Sequence, residues 1–106
     1  MTDPLADIRS LRALIDAVDD RLVELLNRRA DYALRIGGMK RRAGLPIYAP
    51  QREAEVLDRV STRAGGRLSP AALRRLFERI IDESRRLERS AAPAEPGAGP
   101  GRGEPS

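Results

Sequence analysis

The apolar residues between Leu5 and Lys40 recur at alternating steps of three and four, which places them on one face of a helix. This face is formed by Ile8, Leu11, Ile15, Val18, Leu22, Leu25, Tyr32, Ile36 and Met39. Arg29 occupies the position between Leu25 and Tyr32 where another apolar residue is due. The pattern predicts one long helix with a heptad-like face that the rest of the chain must cover. It also predicts an anionic partner for Arg29, because a covered charge needs one.

Helix-capping residues mark both ends of this predicted helix. Asp3 is a suitable N-cap, and Pro4 is tolerated at the first helical position. The helix should continue to about Arg42, weakened by the Gly37-Gly38 pair, and stop at Gly44. It would then span roughly ten turns.

Two shorter helices follow in the sequence. Pro50 begins the second, which should extend to Ala64 and be closed by Gly65-Gly66. Ser69-Pro70 is a hydroxyl N-cap followed by proline, and it begins a third helix that ends near Ser90. The predicted fold is therefore all-α, with one long, one short and one medium helix.

Composition limits the size and nature of the domain. The chain has 106 residues, one Phe, two Tyr and no Trp, so its core must consist of Leu, Ile, Val and Ala, which suits packed helices better than a sheet. Residues 1–90 should form one helical domain. Residues 91–106 are rich in Pro and Gly and have almost nothing to bury, so we expect a disordered tail there.

The absence of Cys and His from the sequence restricts the possible chemistry. It excludes thiol catalysis, imidazole general bases and the commonest zinc ligands, and we expect neither a cofactor nor a metal. There is no membrane-length apolar segment and no leader sequence, so a cytoplasmic protein is expected. The formal charge is +4, and Lys40 is the single lysine among 20 basic residues.

Five polar residues occupy positions that face or flank the predicted interior: Arg29, Lys40, Glu53, Ser84 and Glu88. Structural explanations exist for several of them taken alone. Ser84 could bond to the preceding turn of its helix, Glu53 could pair with an arginine, and Lys40 could be a solvated helix end. Taken together, cations and acids that converge on one interior favour a polar ligand pocket between helices.

Spacing along the first helix adds a constraint. Arg29 and Lys40 are about three turns apart on the same face, roughly 16 Å along the axis, so both can reach one small anion. Arg12 lies about 25 Å from Arg29, too far to share that ligand within one chain. Arg12 could join the site only from a second chain.

Three segments together resemble the small all-helical chorismate mutases. They are IRSLRALIDAVDDRLVELLNRRADYALRIGGMK in the first helix, the Arg52-Glu53 pair in the second and LFERIIDES in the third. The resemblance covers about residues 5–90. It implies an intertwined homodimer of three-helix protomers, in which each active site borrows one arginine from the partner. The implied reaction is the unimolecular [3,3] rearrangement of chorismate, a dicarboxylate, to prephenate in aromatic amino acid biosynthesis.

The resemblance also implies roles for the cations of the first helix. Arg12 would be the arginine donated across the dimer, and Arg29 the main carboxylate-binding arginine. Lys40 would face the ether oxygen and a carboxylate. Such a reaction needs orientation and charge stabilisation rather than a nucleophile or metal.

The remaining implied site residues lie in the second and third helices. Arg52 would be a supporting arginine, Glu53 the acceptor for the ring hydroxyl and Ser84 a contact to a carboxylate. Glu88 would occupy the position of the second donor to the ether oxygen, where Gln is frequent in the family. An ionised carboxylate cannot donate, so we expect Glu88 to work protonated and activity to favour acidic pH. Ala49 stands where many members have an acid, which leaves more of the ring-hydroxyl recognition to Glu53.

Other functions remain open from the sequence. The same scaffold serves enzymes acting on 4-amino-4-deoxychorismate and isochorismate-pyruvate lyases. A nucleic-acid-binding module would use the basic residues of the third helix, but these are interleaved with acids, so we expect no nucleic-acid partner. A structural coiled-coil dimer would use the polar residues to set its register. Docking to another shikimate-pathway enzyme and feedback regulation cannot be decided from the sequence. The basic residues of the third helix that a nucleic-acid-binding module would use are Arg74, Arg75, Arg79, Arg85, Arg86 and Arg89.

Overall fold

The computed structural model describes residues 3–90, which form three α-helices. These are α1 (Pro4–Ala43), α2 (Pro50–Thr62) and α3 (Pro70–Ser90), and no residue within 3–90 belongs to a strand. The prediction of an all-α fold with a long, a short and a medium helix is confirmed. None of these three helices has a segment long and apolar enough to cross a membrane. The predicted tail at 91–106 lies outside the described residues.

Side-chain caps begin α1 and α3. The Asp3 carboxylate accepts a hydrogen bond of 3.0 Å from the Leu5 amide, and the Ser69 hydroxyl accepts one of 3.1 Å from the Ala72 amide. Each cap satisfies one of the amides that lacks a partner in the first turn of a helix. Both predicted N-caps are confirmed.

Gly44 ends α1, as predicted. Its φ of 70° lies in the left-handed region, which only glycine adopts without strain. The Gly44 amide donates to the Arg41 carbonyl (3.3 Å), and the Leu45 amide donates to the Lys40 carbonyl (2.8 Å). This pair of bonds is a Schellman motif. It places Lys40 in the last turn of α1.

The end of α2 differs slightly from the prediction, because the helix stops at Thr62 rather than Ala64. The Arg63 amide bonds to the Val60 carbonyl and the Ala64 amide to the Ser61 carbonyl, both three residues back. Such bonds tighten the final turn into a 3₁₀ geometry that does not propagate. The Gly65-Gly66 pair therefore marks the connection between α2 and α3 and does not directly follow the last helical residue.

The described residues fall into two compact units, divided after Asp31 within α1. The first unit contains the N-terminal part of α1. Its apolar face remains exposed in the single chain, from 41% at Leu25 to 59% at Leu11 and Val18. The expectation that the rest of the chain covers this face is therefore not met within one chain.

The second unit contains the buried core between α2 and α3. Val56 and Val60 of α2 pack against Ile81 of α3, with Leu57 and Phe77 partly buried beside them. Val56 and Val60 are four residues apart, as are Phe77 and Ile81, so each pair lies on one face of its helix. The packing brings the N-terminal turn of α2 to the C-terminal half of α3, which carries the predicted polar residues.

Candidate functional site

Lys40 and Glu88 form an ion pair between the end of α1 and the last turns of α3. The Lys40 Nζ lies 3.5 Å from Glu88 Oε1 and donates a hydrogen bond of 3.0 Å to the Ile47 carbonyl. The side chains are only 19% and 14% exposed, respectively. Lys40 is therefore a fixed, partly desolvated cation rather than a solvated helix end.

Gly37 permits the close approach of α1 and α3 at this pair. A Cβ atom added to Gly37 would lie 3.0 Å from the Cα and 3.1 Å from the Cβ of Glu88. Gly37 is buried, and it precedes Lys40 by nearly one helical turn. A residue with a side chain at this position would push against the backbone that carries Glu88.

Glu53 and Arg85 form a second ion pair, between α2 and α3. Arg85 Nη2 lies 2.6 Å from Oε1 and 2.7 Å from Oε2 of Glu53, and Arg85 Nε lies 3.1 Å from Oε2. Both side chains are about one quarter exposed, at 23% and 24%. The arginine alternative anticipated for Glu53 is therefore present, and its geometry is the strong bidentate form.

Two neighbouring groups complete the surroundings of Arg85. The guanidinium carbon lies 5.2 Å from the centre of the Tyr48 ring, within the range of a cation–π contact. Arg85 Nη1 also lies 3.5 Å from Asp82 Oδ1. The hydrogen bonds to Glu53 raise the pKa of Arg85 above its ordinary value, and this effect exceeds the opposing effect of burial. Arg85 therefore stays charged at every physiological pH.

The two ion pairs lie side by side. Arg85 and Glu88 are three residues apart on α3, so their side chains emerge from the same helix face one turn apart. The α1–α2 connection contacts both pairs, through the Ile47 carbonyl at Lys40 and the Tyr48 ring at Arg85. Two cations and two carboxylates thus share one region of the second unit.

Ser84 and Arg52 have local partners in this structure. The Ser84 hydroxyl donates a hydrogen bond of 3.0 Å to the Ile80 carbonyl, one turn earlier in α3, which is the structural alternative considered for it. Arg52 is 63% exposed and lies 3.4 Å from the Glu55 carboxylate in the next turn of α2. Ser84 is partly buried like the members of the two ion pairs, whereas Arg52 is exposed.

Arg12 and Arg29 belong to the first unit. Arg12 is exposed, and Arg29 is partly buried. The second unit therefore brings together Lys40, Glu88 and Glu53 from the predicted set, and the two arginines lie in the first unit. No charged residue within 3–90 is fully buried, so the expected polar interior is a partly exposed surface in the single chain.

Three residues of this region had no assigned role in the sequence prediction. Arg85 appeared there only among the basic residues of the third helix, Tyr48 lies outside the three predicted helices, and Gly37 was regarded as a weak point of α1. The position of Arg85, three residues before Glu88, places both side chains on one face and was an available signal. No pattern within α3 indicates that Arg85 meets Glu53 of another helix.

The arrangement suits the binding and stabilisation of anionic oxygens. Lys40 presents an ammonium group in a partly desolvated position, where its electrostatic interactions are stronger than in bulk water. The hydrogen bond to the Ile47 carbonyl fixes its direction. No side chain of the region is a thiol or an imidazole, and a reaction that requires only orientation and charge stabilisation needs neither.

A family model described as chorismate mutase type II matches residues 11–89. The bifunctional chorismate mutase/prephenate dehydratase of Aquifex aeolicus is 35% identical over 89 residues, which cover 80% of this chain and 25% of that protein. This chain therefore spans about a quarter of the length of that bifunctional relative.

Two further proteins are similar over most of this chain. The 4-amino-4-deoxychorismate mutase of Streptomyces pristinaespiralis is 41% identical over 88 residues, covering 82% of this chain and 66% of that protein. The crystal structure of the Helicobacter pylori chorismate mutase in complex with prephenate has a TM-score of 0.74 and 37% identity. That alignment covers 84% of this chain and 94% of the solved chain.

Proposed function

Because this chain belongs to the type II chorismate mutase family, we propose that it is an isomerase that converts chorismate to prephenate. The observation that carries the proposal is the family match over residues 11–89, which includes both ion pairs. The fixed ammonium group of Lys40 supports the proposal, because the reaction requires a cation held in a defined position. The reaction is a step of aromatic amino acid biosynthesis.

The first task of the site is to hold a flexible dicarboxylate in the reactive conformation. In the proposal, Arg29 binds one carboxylate, and Arg12 of a second chain binds the other. Orientation of this kind can supply several kcal/mol of the barrier reduction, roughly 7–11 kcal/mol in the best intramolecular models. It needs cations at fixed positions, not a nucleophile.

The second task is to stabilise the negative charge that grows on the breaking ether oxygen. Lys40 can supply a charged donor from the end of α1, where the Ile47 carbonyl already orients it. Glu88 lies beside Lys40 and can donate only when it carries a proton. Removal of one such preorganised donor typically costs ~3 kcal/mol in the barrier.

Glu53, Ser84 and Arg52 are already bonded to other groups of the protein, which limits the contacts that each can make with a substrate. Glu53 would accept the ring hydroxyl while it is paired with Arg85. The Ser84 hydroxyl would have to turn away from the Ile80 carbonyl to donate to a substrate carboxylate. Arg52 would have to leave Glu55 to support the site. These three residues are therefore proposed as secondary contacts.

We also propose an intertwined homodimer in which Arg12 enters the active site of the partner. The exposed apolar face of α1 supports a partner chain, because a contiguous apolar face of this length is rarely left in water. Residues of this face from Ile8 to Leu25 are between 41% and 59% exposed in one chain. The cytoplasmic location expected from the sequence remains a prediction.

A panel of three substrates tests the proposed function. The purified protein should convert chorismate to prephenate, and it should release no pyruvate from isochorismate. Chromatography of the products measures both reactions. Absence of any conversion of chorismate would overturn the proposal. Pyruvate release from isochorismate would support the lyase alternative, and faster conversion of 4-amino-4-deoxychorismate would support the amino alternative.

A further inference from the structure

We propose that Arg85 is a specificity-determining residue, which makes the site prefer a substrate with a ring hydroxyl over one with a ring ammonium. The inference rests on the proposed function, in which Glu53 contacts the ring substituent. It concerns a residue that has no role in that proposal. The evidence is the way in which Arg85 occupies the Glu53 carboxylate.

Arg85 uses most of the hydrogen-bonding capacity of Glu53. Three hydrogen bonds of 2.6, 2.7 and 3.1 Å connect the guanidinium to the two carboxylate oxygens. An ionised carboxylate offers about four acceptor sites. About one site is left for a substrate.

One remaining acceptor site suits a hydroxyl group. A hydroxyl donates a single hydrogen bond, so the remaining site of Glu53 satisfies it. An ammonium group has three donors, and two of them would need other acceptors. The ammonium form therefore leaves hydrogen-bond donors without partners in a partly desolvated region, which is costly.

Charge acts in the same direction. Glu53 alone would attract a ring ammonium, but Arg85 neutralises it at hydrogen-bond distance. The charged and aromatic groups facing Arg85 are Glu53, Asp82 and the Tyr48 ring. Contacts with Tyr48 and Glu53 hold the guanidinium in position, so its charge is a permanent feature of the site. A ring ammonium that contacts Glu53 therefore gains less attraction than it would without Arg85, whereas a neutral hydroxyl loses nothing.

Four proteins test the inference: the wild type, Arg85→Gln, Arg85→Lys and the control Arg86→Gln. Arg86 is the next residue on α3, its side chain is 70% exposed, and its guanidinium lies 3.9 Å from Glu83. The measured quantity is the ratio of kcat/KM for chorismate to kcat/KM for 4-amino-4-deoxychorismate. Circular dichroism and thermal unfolding establish that each variant is folded.

The wild type should prefer chorismate, and Arg85→Gln should shift the ratio toward the amino substrate by at least about tenfold. Arg85→Lys keeps the charge, so it should retain most of the preference even if both rates fall. Arg86→Gln should leave the ratio unchanged. An equal fall for both substrates in Arg85→Gln would show a purely structural role and overturn the inference.

The wild type provides a readout that does not depend on a folded variant. Its preference for chorismate should narrow as the pH is raised and the ring amine of the second substrate loses its proton, because the amine then carries no charge and one donor fewer to satisfy. A wild type that converts both substrates equally well, or a preference independent of pH, would overturn the inference and leave the proposed function intact. A wild type inactive on chorismate would instead overturn the proposed function.

Discussion

Lys40 occupies a position that ordinary surface lysines do not have. Its ammonium group is held between the Ile47 carbonyl at 3.0 Å and the Glu88 carboxylate at 3.5 Å, and its side chain is 19% exposed. Ordering a flexible side chain in this way costs conformational entropy, which is recovered when a bound anion uses the fixed charge. The only lysine in the chain is therefore the residue on which the proposed chemistry depends most.

Replacement of Lys40 by alanine should remove most of the turnover. We expect kcat for chorismate to fall about 10²–10³-fold, because a preorganised donor to the ether oxygen is lost. Steady-state kinetics with purified protein measures this change. Arg42→Ala, two residues later on an exposed position of the same helix end, should retain near-normal activity. Near-normal turnover in Lys40→Ala would contradict the assignment of the site.

Glu88 should limit the activity, because an ionised carboxylate cannot donate a hydrogen bond to the ether oxygen. In the present structure it accepts the Lys40 ammonium and so competes with a substrate oxygen for that charge. Glutamine has a similar shape and adds an amide donor, so we expect kcat of Glu88→Gln for chorismate to be at least about tenfold higher than that of the wild type. Steady-state kinetics at one fixed pH measures this change. A Glu88→Gln rate equal to or below that of the wild type would argue against the role.

The polar residues of the site were predictable from sequence in part. Lys40, Glu53 and Glu88 were found because each interrupts or flanks an apolar helical face, and the structure holds all three in ion pairs. Ser84 was found on the same grounds, but its hydroxyl bonds to its own helix. An arginine partner was considered for Glu53, but its identity as Arg85 was not predicted, since periodicity reports which face a residue occupies and not which helix it meets.

The approach of α1 to α3 depends on a single small residue. Gly37→Ala would place a methyl group 3.0 Å from the Glu88 backbone, and the two helices would have to separate by a few tenths of an ångström. We expect the free energy of unfolding to fall by ~1–2 kcal/mol, because overpacking outweighs the gain in helix propensity. Urea denaturation at one fixed protein concentration measures it, and kcat should fall as Lys40 and Glu88 move.

Gly38 offers a matched control for this substitution. A Cβ atom there would meet only Arg42 Nη1, at an ordinary contact distance of 3.6 Å. Gly38→Ala should therefore stabilise the protein by up to about 1 kcal/mol through helix propensity alone. If both substitutions stabilise equally, the close approach at Gly37 does not limit the packing of α1 on α3.

The helices themselves were largely predictable because their ends are encoded locally. Asp3, Ser69 and Gly44 each act through bonds within a few residues, and all three behave as predicted. The end of α2 was misplaced by two residues. The amides of Arg63 and Ala64 bond to carbonyls three residues back, and no residue type in the sequence indicates such bonds. Gly37 was misjudged for a similar reason. Its role comes from a residue on another helix, and low helix propensity was its only local signal.

At the scale of the whole molecule, one chain leaves much of α1 uncovered. The apolar face that first identified the long helix is exposed at Leu11, Ile15 and Val18. Sequence periodicity shows that such a face needs a partner surface, but it does not show whether that surface belongs to the same chain. In the proposed homodimer a second chain supplies the surface that covers this face. The proposal also places Arg12 in the active site of the partner, which can be tested without a structure of the complex.

Heterodimers carrying two substitutions in different arrangements test whether Arg12 acts across the dimer. Arg12→Ala and Lys40→Ala are placed on separate chains in one heterodimer and together on one chain in another, and each is purified through two different tags. If Arg12 serves the partner's site, separate chains leave one of two sites intact, and about half of wild-type activity should remain. With both substitutions on one chain, each site lacks one cation, and activity should be nearly lost. If Arg12 served its own chain, the two results would be exchanged, so the same pair of proteins distinguishes the two arrangements.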